Sequence, residues 1–118
     1  METIRQKKLA DQIKKLVSSV IERKVRDPEI GFVTLTHVKV SRDLRIASIY
    51  FTVLGDEENL AQSQRALERA RGFIRNEISP SIKARFIPEL RFFVDDTMEY
   101  ANKIEKILKD LSKPEDEE

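Results

Sequence analysis

The chain is 118 residues long, carries 22 Lys and Arg against 21 Asp and Glu for a net charge of +1, and contains no cysteine. That length fits one domain with a real core, and the missing thiols exclude a disulfide framework, a zinc–thiolate site and a cysteine nucleophile. A single histidine, His37, excludes a multi-histidine metal site or a histidine acid–base pair. No apolar run reaches the roughly 18 residues of a membrane span, and Met1-Glu2-Thr3 leads into a charged helix rather than a secretory signal. The expectation is a cytoplasmic, non-enzymatic domain with no cofactor, metal, membrane or small-molecule substrate, monomeric when free.

Charge is unevenly distributed along the chain. Residues 1–26 hold eight basic and three acidic side chains, residues 27–64 three and six, residues 65–91 seven and three, and residues 92–118 four and nine. Two basic stretches separated by an acidic one would suit a localised face for a polyanion, provided folding brings them together.

From Ile4 to Val25 the apolar residues Leu9, Ile13, Leu16, Val17, Val20 and Ile21 recur at three and four, which predicts one amphipathic helix. Lys7 and Lys14 fall on one exposed flank of it, Lys8 and Lys15 on the other. Asp27-Pro28 ends the helix, because a residue before proline avoids the helical region. Phe32–Val40 and Leu44–Leu54 then read as β-branched and aromatic strands joined by the polar turn Ser41-Arg42-Asp43, an antiparallel hairpin. In the second strand Ala47, Ile49, Phe51 and Val53 share a face. In the first, the apolar parity slips between Val33, Leu35 and Val38, Val40, which predicts a bulge near Thr36-His37.

Asp56 is a natural N-cap for a second helix with a stripe of Leu60, Ser63, Leu67 and Ala70. Gly72 predicts a stop or kink, after which Phe73, Ile74 and Ile78 begin a third helix that Pro80 interrupts, with a restart near Ser81. Glu89–Asp95 is a third strand, parallel to the second if they are neighbours, since a helical crossover joins them. Asp96 and Glu99 resemble a capping box for an extra C-terminal helix to Leu111. Residues 112–118 form an acidic tail expected to be disordered. The chain thus reads as a single domain over 1–111 plus that tail.

Helix, strand, strand, helix, kink, helix, strand is the order of a type II KH domain: α+β, with a three-stranded mixed sheet and helices on one face. In KH modules a glycine-rich loop between the central helices lets an RNA backbone approach the main chain. Here the corresponding joint is Ala70-Arg71-Gly72. Four stretches in order, Val38–Leu44, Ala47–Gly55, Ala70–Arg75 and Arg85–Asp96, resemble the bacterial ribosome-binding factor A family of small-subunit assembly factors. The resemblance implies a KH-like fold with an interrupted helix at Ala70-Gly72. It also implies binding to the free small (30S) ribosomal subunit, support of 16S rRNA processing and late subunit maturation, and a link to cold adaptation. The alternative is a general KH-like single-strand RNA binder or protein-interaction adaptor not tied to the ribosome.

Candidate rRNA contacts follow. Lys7, Lys8, Lys14 and Lys15 on the first helix are candidate phosphate ligands, which position a protein on RNA without reading sequence. Arg65 and Arg69 on the second helix, Ala70, Arg71, Gly72 and Arg75 at the joint, and Lys83 and Arg85 before the third strand add to the same expected surface; Arg suits planar, bidentate phosphate contact. Arg42 and Arg45 border the hairpin turn, where they could equally cap it. His37 reads as an ordinary strand residue, Asp95-Asp96 as helix capping, and the phenylalanines as core positions without a stacking signature.

Overall fold

The computed structural model describes residues 2–95. Its first helix, α1 (Ile4–Arg23), opens on a capping box: the Thr3 hydroxyl accepts the Gln6 N–H, and the Gln6 carboxamide accepts the Thr3 N–H. Two of the donors that every helix start leaves unbonded are thereby satisfied. Gln6 is itself buried and donates its Nε2 to the Val40 carbonyl at 2.9 Å, pinning the start of α1 to the first strand. Leu9, Ala10, Ile13, Val17, Val20 and Ile21 form the helix's buried stripe.

Strands β1 (Val33–Val40) and β2 (Ile46–Val53) pair antiparallel, and the register slips between Leu35 and His37. The predicted bulge is therefore present; it leaves Thr36 out of the ladder, its hydroxyl bonding the Tyr50 carbonyl and the Asp95 carboxylate. Slipping one residue is what lets Leu35 and then Val38 and Val40 all face inward. Strand β3 (Glu89–Val94) pairs parallel with β2, giving the sheet order β1-β2-β3. Leu35, Val38, Val40, Ala47, Ile49, Phe51, Leu90 and Phe92 build the inner face against both helices. On the outer face, His37, Tyr50 and Phe93 form a row across the three strands, with ring centroids 5.9 and 5.5 Å apart.

The second helix, α2 (Glu57–Ile78), is capped as predicted, the Asp56 carboxylate accepting the Asn59 N–H at 2.9 Å. It does not stop at Gly72. Twenty-two residues run helically without interruption through Ala70-Arg71-Gly72, and the only glycine with positive φ is Gly55. The predicted interruption and separate third helix are corrected accordingly. Ser63, Leu67, Ile74 and Ile78 continue one buried stripe across the glycine, and burying those side chains outweighs the roughly 1 kcal/mol that a mid-helix glycine costs. The break falls instead at Pro80, which lacks an N–H for the ladder, and a 3₁₀ turn over Ser79–Ser81 replaces the expected restart. The result is an α+β domain with both helices on one face of a three-stranded mixed sheet, the KH-like arrangement. The predicted helix from Asp96 to Leu111 and the acidic tail lie outside the described residues.

Phe51 and Phe92 are core residues, whereas Phe32, Phe73, Phe86 and Phe93 are exposed, contrary to the reading of the phenylalanines as core.

The segment between α1 and β1 is clasped to α2 by charge. Asp27 accepts the Glu29 N–H and a 2.9 Å bond from Arg69 Nη2, which also reaches Glu29 at 2.8 Å, while Arg65 lies 3.7 Å from Glu29. The Glu29 N–H first, and then the Arg69 guanidinium, hold the Asp27 carboxyl below its usual range. A depressed carboxyl contributes stability that is present above its unfolded pKa and lost as pH falls through the folded one. Asp27→Asn should therefore lower the urea midpoint at pH 7, and the gap to the parent should narrow as the pH drops below about 4; a gap independent of pH would count against the clasp.

Gly72 tests the continuous helix. A Cβ built there meets nothing within 4 Å, so Gly72→Ala should stabilise the fold by about 0.5–1 kcal/mol. Loss of stability in urea unfolding would mean that the backbone breaks at this residue after all.

Candidate nucleic-acid interface

The hairpin turn is built by its own side chains. Ser41 Oγ donates to the Asp43 carboxylate at 2.7 Å and accepts the N–H groups of Arg45 and Ile46, and Asp43 also accepts the Arg45 N–H. These bonds, the Ser41 hydroxyl first, hold Asp43 below the usual carboxylate range. Leu44 sits at φ 62° and packs partly buried against the core; that backbone region is uncommon for a leucine. Ser41 and Asp43 thus do the capping, and the side chains of Arg42 and Arg45 stand free of it and exposed.

The segment from Ile82 to Pro88 is an arch fixed at both ends. Ile82 and Pro88 are buried, and four of the five residues between them, Lys83-Ala84-Arg85-Phe86, are exposed. Gln12 of α1 donates to the Ser81 carbonyl at 2.8 Å, and Arg75 of α2 donates to the carbonyls of Ile87 and Pro88 at 2.9 and 3.2 Å. Arg75 is thereby a strut of the arch.

Turn, arch and the first turns of α1 meet around a groove of about 460 Å³, lined by Arg5, Lys8, Leu9, Gln12, Arg42, Asp43, Leu44, Lys83, Ala84, Arg85 and Phe86. Five of those residues are cations and only Asp43 is acidic, its carboxylate already engaged in the turn. Among the described residues no carboxylate lies within ion-pair distance of Arg5, Lys8, Arg42, Lys83 or Arg85. Arg45 and Arg85 hold their Cζ atoms 5.0 and 5.7 Å from the centroid of the Phe86 ring. A concave wall with unneutralised cations of one sign focuses potential and suits an anionic backbone.

The other sequence candidates lie elsewhere. Lys14 bridges to the Thr36 carbonyl on β1 at 3.4 Å, and Lys14 and Lys15 share their surface with Asp11 and Glu22. Lys7 is exposed, on the flank of Lys14 rather than on that of Lys8. On α2, Arg65 and Arg69 face Asp27 and Glu29, and Arg71 lies 3.3 Å from Glu68 on its own helix. Ala70 is half-buried and Gly72 exposed within the continuous helix. The two basic stretches therefore meet only in part: Lys8 joins Lys83 and Arg85, while the arginines of α2 point to carboxylates or carbonyls. Of the groove's cations and aromatic rings, sequence reasoning missed Arg5 and Phe86. Arg5 precedes Lys8 by three and shares its flank at helical spacing, a legible signal; Phe86 reads with the other phenylalanines as a core position, and nothing local marks it as exposed. Among the described residues there is no cluster of three or more metal-ligating side chains and no helix long and apolar enough to cross a membrane.

Known proteins resemble this chain over almost all of its length. A ribosome-binding factor A from Staphylococcus carnosus is 44% identical over 113 residues, covering 96% of this chain and 98% of its own. The crystal structure of ribosome-binding factor A from Thermus thermophilus superposes with a TM-score of 0.66 at 26% identity, over 75% of this chain and 94% of that one. A Thermus thermophilus ribosome-binding factor A homology model, fitted into a cryo-electron-microscopy map of its complex with the 30S subunit, superposes with a TM-score of 0.60 at 25% identity, over 74% and 91%. The model of the family described as ribosome-binding factor A matches residues 5–108, and the chain belongs to that family.

Proposed function

We propose that this protein binds the free small (30S) ribosomal subunit through 16S rRNA backbone seated in the groove, and that it thereby assists rRNA processing and late subunit maturation. The observation that carries this reading is the cluster of Arg5, Lys8, Arg42, Lys83 and Arg85 on one concave surface without carboxylate partners among the described residues. Family membership and the 30S complex of the Thermus relative support the choice of partner. Phosphate contacts of this kind fix position and orientation on RNA, and the guanidinium forks of Arg42 and Arg85 match phosphate geometry. The protein acts by binding one rRNA conformation more tightly than another, which shifts the population and needs no bond-making. Arg65, Arg69 and Arg71, held by Asp27, Glu29 and Glu68, shape the scaffold rather than grip the RNA, and Arg75 positions the arch.

Each phosphate neutralised releases counterions, so five contacts give log affinity against log salt a slope of roughly −4. Co-sedimentation with purified small subunits should weaken by at least about a hundredfold between roughly 50 and 200 mM salt. Lys83→Glu with Arg85→Glu should flatten that slope by about two, whereas Arg65→Gln should leave it unchanged. Binding indifferent to salt, or equal in the reversed and parent proteins, would overturn the electrostatic reading.

A further inference from the structure

Among the exposed side chains of the groove, Phe86 is the large one that phosphate binding does not explain. Its apolar ring, 53% exposed, stands on an arch whose ends are tied down by Gln12 and Arg75. Guanidinium carbons stand 5.0 and 5.7 Å from its centroid, within the range of attraction between a cation and an aromatic face. An exposed ring with two guanidiniums beside it matches the two chemical features of a nucleotide, a flat π-system and an adjacent anion. Stacking removes the ring from water, and the cations reach the phosphates of the same strand.

We propose that Phe86 is a stacking platform for one unpaired nucleobase, with Arg45 and Arg85 contacting the flanking phosphates. This rests on the reading of the groove as an RNA-backbone site and adds selectivity to it. In a duplex every base is stacked between its neighbours, and the grooves of an RNA helix offer edges and hydroxyls rather than base faces. A single projecting ring therefore selects a loop, bulge or single strand. The anchored arch lowers the ordering cost, because Phe86 and Arg85 are already in position before RNA arrives. As the base seats, one guanidinium leaves the ring face and moves to phosphate, or stays and lengthens the stack.

The test uses the full chain with two probes, an unstructured oligouridylate of about eight nucleotides and a blunt RNA duplex of the same length. The chain has no tryptophan, so Phe86→Trp installs one reporter at the platform. The single strand should quench its emission and the duplex should not. Phe86→Ala should bind the single strand about tenfold more weakly, the usual loss of a base–aromatic stack, with duplex binding unchanged. Phe86→Leu, which keeps the apolar bulk without the flat ring, should show the same loss; equal melting temperatures check that the fold survives. If Phe86→Ala and Phe86→Leu bind both RNAs as the parent does while Lys83→Glu weakens both, stacking is overturned and the backbone reading stands. Equal losses on both RNAs overturn it too. If Lys83→Glu alters neither, the groove reading falls together with the platform.

Discussion

Parallel pairing of β3 against β2 is the constraint on which the groove depends. Ile46 pairs with Glu89, and the Glu89 N–H donates to the Arg45 carbonyl at 2.8 Å. The two strands therefore begin at the same end of the sheet, and the segments that feed them, the hairpin turn and the arch, become neighbours. An antiparallel β3 would place Lys83, Arg85 and Phe86 at the far end. The start of α1 is brought to this same end by the bond from the buried Gln6 to Val40, the last residue of β1. Three segments distant in sequence thus share one edge of the fold because of strand direction and one buried amide. Parallel pairing in turn requires a long crossover, which α2 supplies.

What distinguishes one cation from another here is its partner. Arg69 and Arg85 are equally charged, yet Arg69 holds two carboxylates of the loop after α1 while Arg85 lies by an aromatic ring. A guanidinium already paired has less to offer an incoming phosphate, since contact there must compete with an existing ion pair. Arg75 is a third case: it donates to two backbone carbonyls that precede β3 and so fixes the arch without facing the groove. Scaffold and contact surface are consequently made from the same residue type, and the division between them follows from where acids and carbonyls stand. Lys14, which spans to a β1 carbonyl at the bulge, belongs with the scaffold group.

The hairpin turn adds rigidity to this arrangement. Ser41 and Asp43 satisfy the turn's own amides, which engages the one acid among the described residues of the groove wall and leaves Arg42 and Arg45 projecting. Leu44 keeps its left-handed backbone while its side chain packs against the core, since surrounding structure can hold a residue in a sparsely populated conformation. A surface made of short, internally bonded segments presents its charges with little loss of freedom on binding.

Local pattern along the chain was enough for the stripe of α1, the alternation of β2, the bulge at Thr36 and the cap at Asp56, each set by neighbours within a few residues. The run of elements likewise determined the KH-like class. Local signals failed at Gly72, where a glycine that would favour a helix end is carried inside α2 because Ile74 and Ile78 bury their side chains against the sheet; that energy comes from residues remote in sequence. They failed again for Arg65 and Arg69, since the carboxylates of Asp27 and Glu29 lie about forty residues away. Phe86 is exposed for the same kind of reason, being held on an arch between buried Ile82 and Pro88. Spacing determines which residues share a face; only the tertiary structure decides which charges on those faces are already spoken for, because pairing depends on distances that the chain's order does not contain.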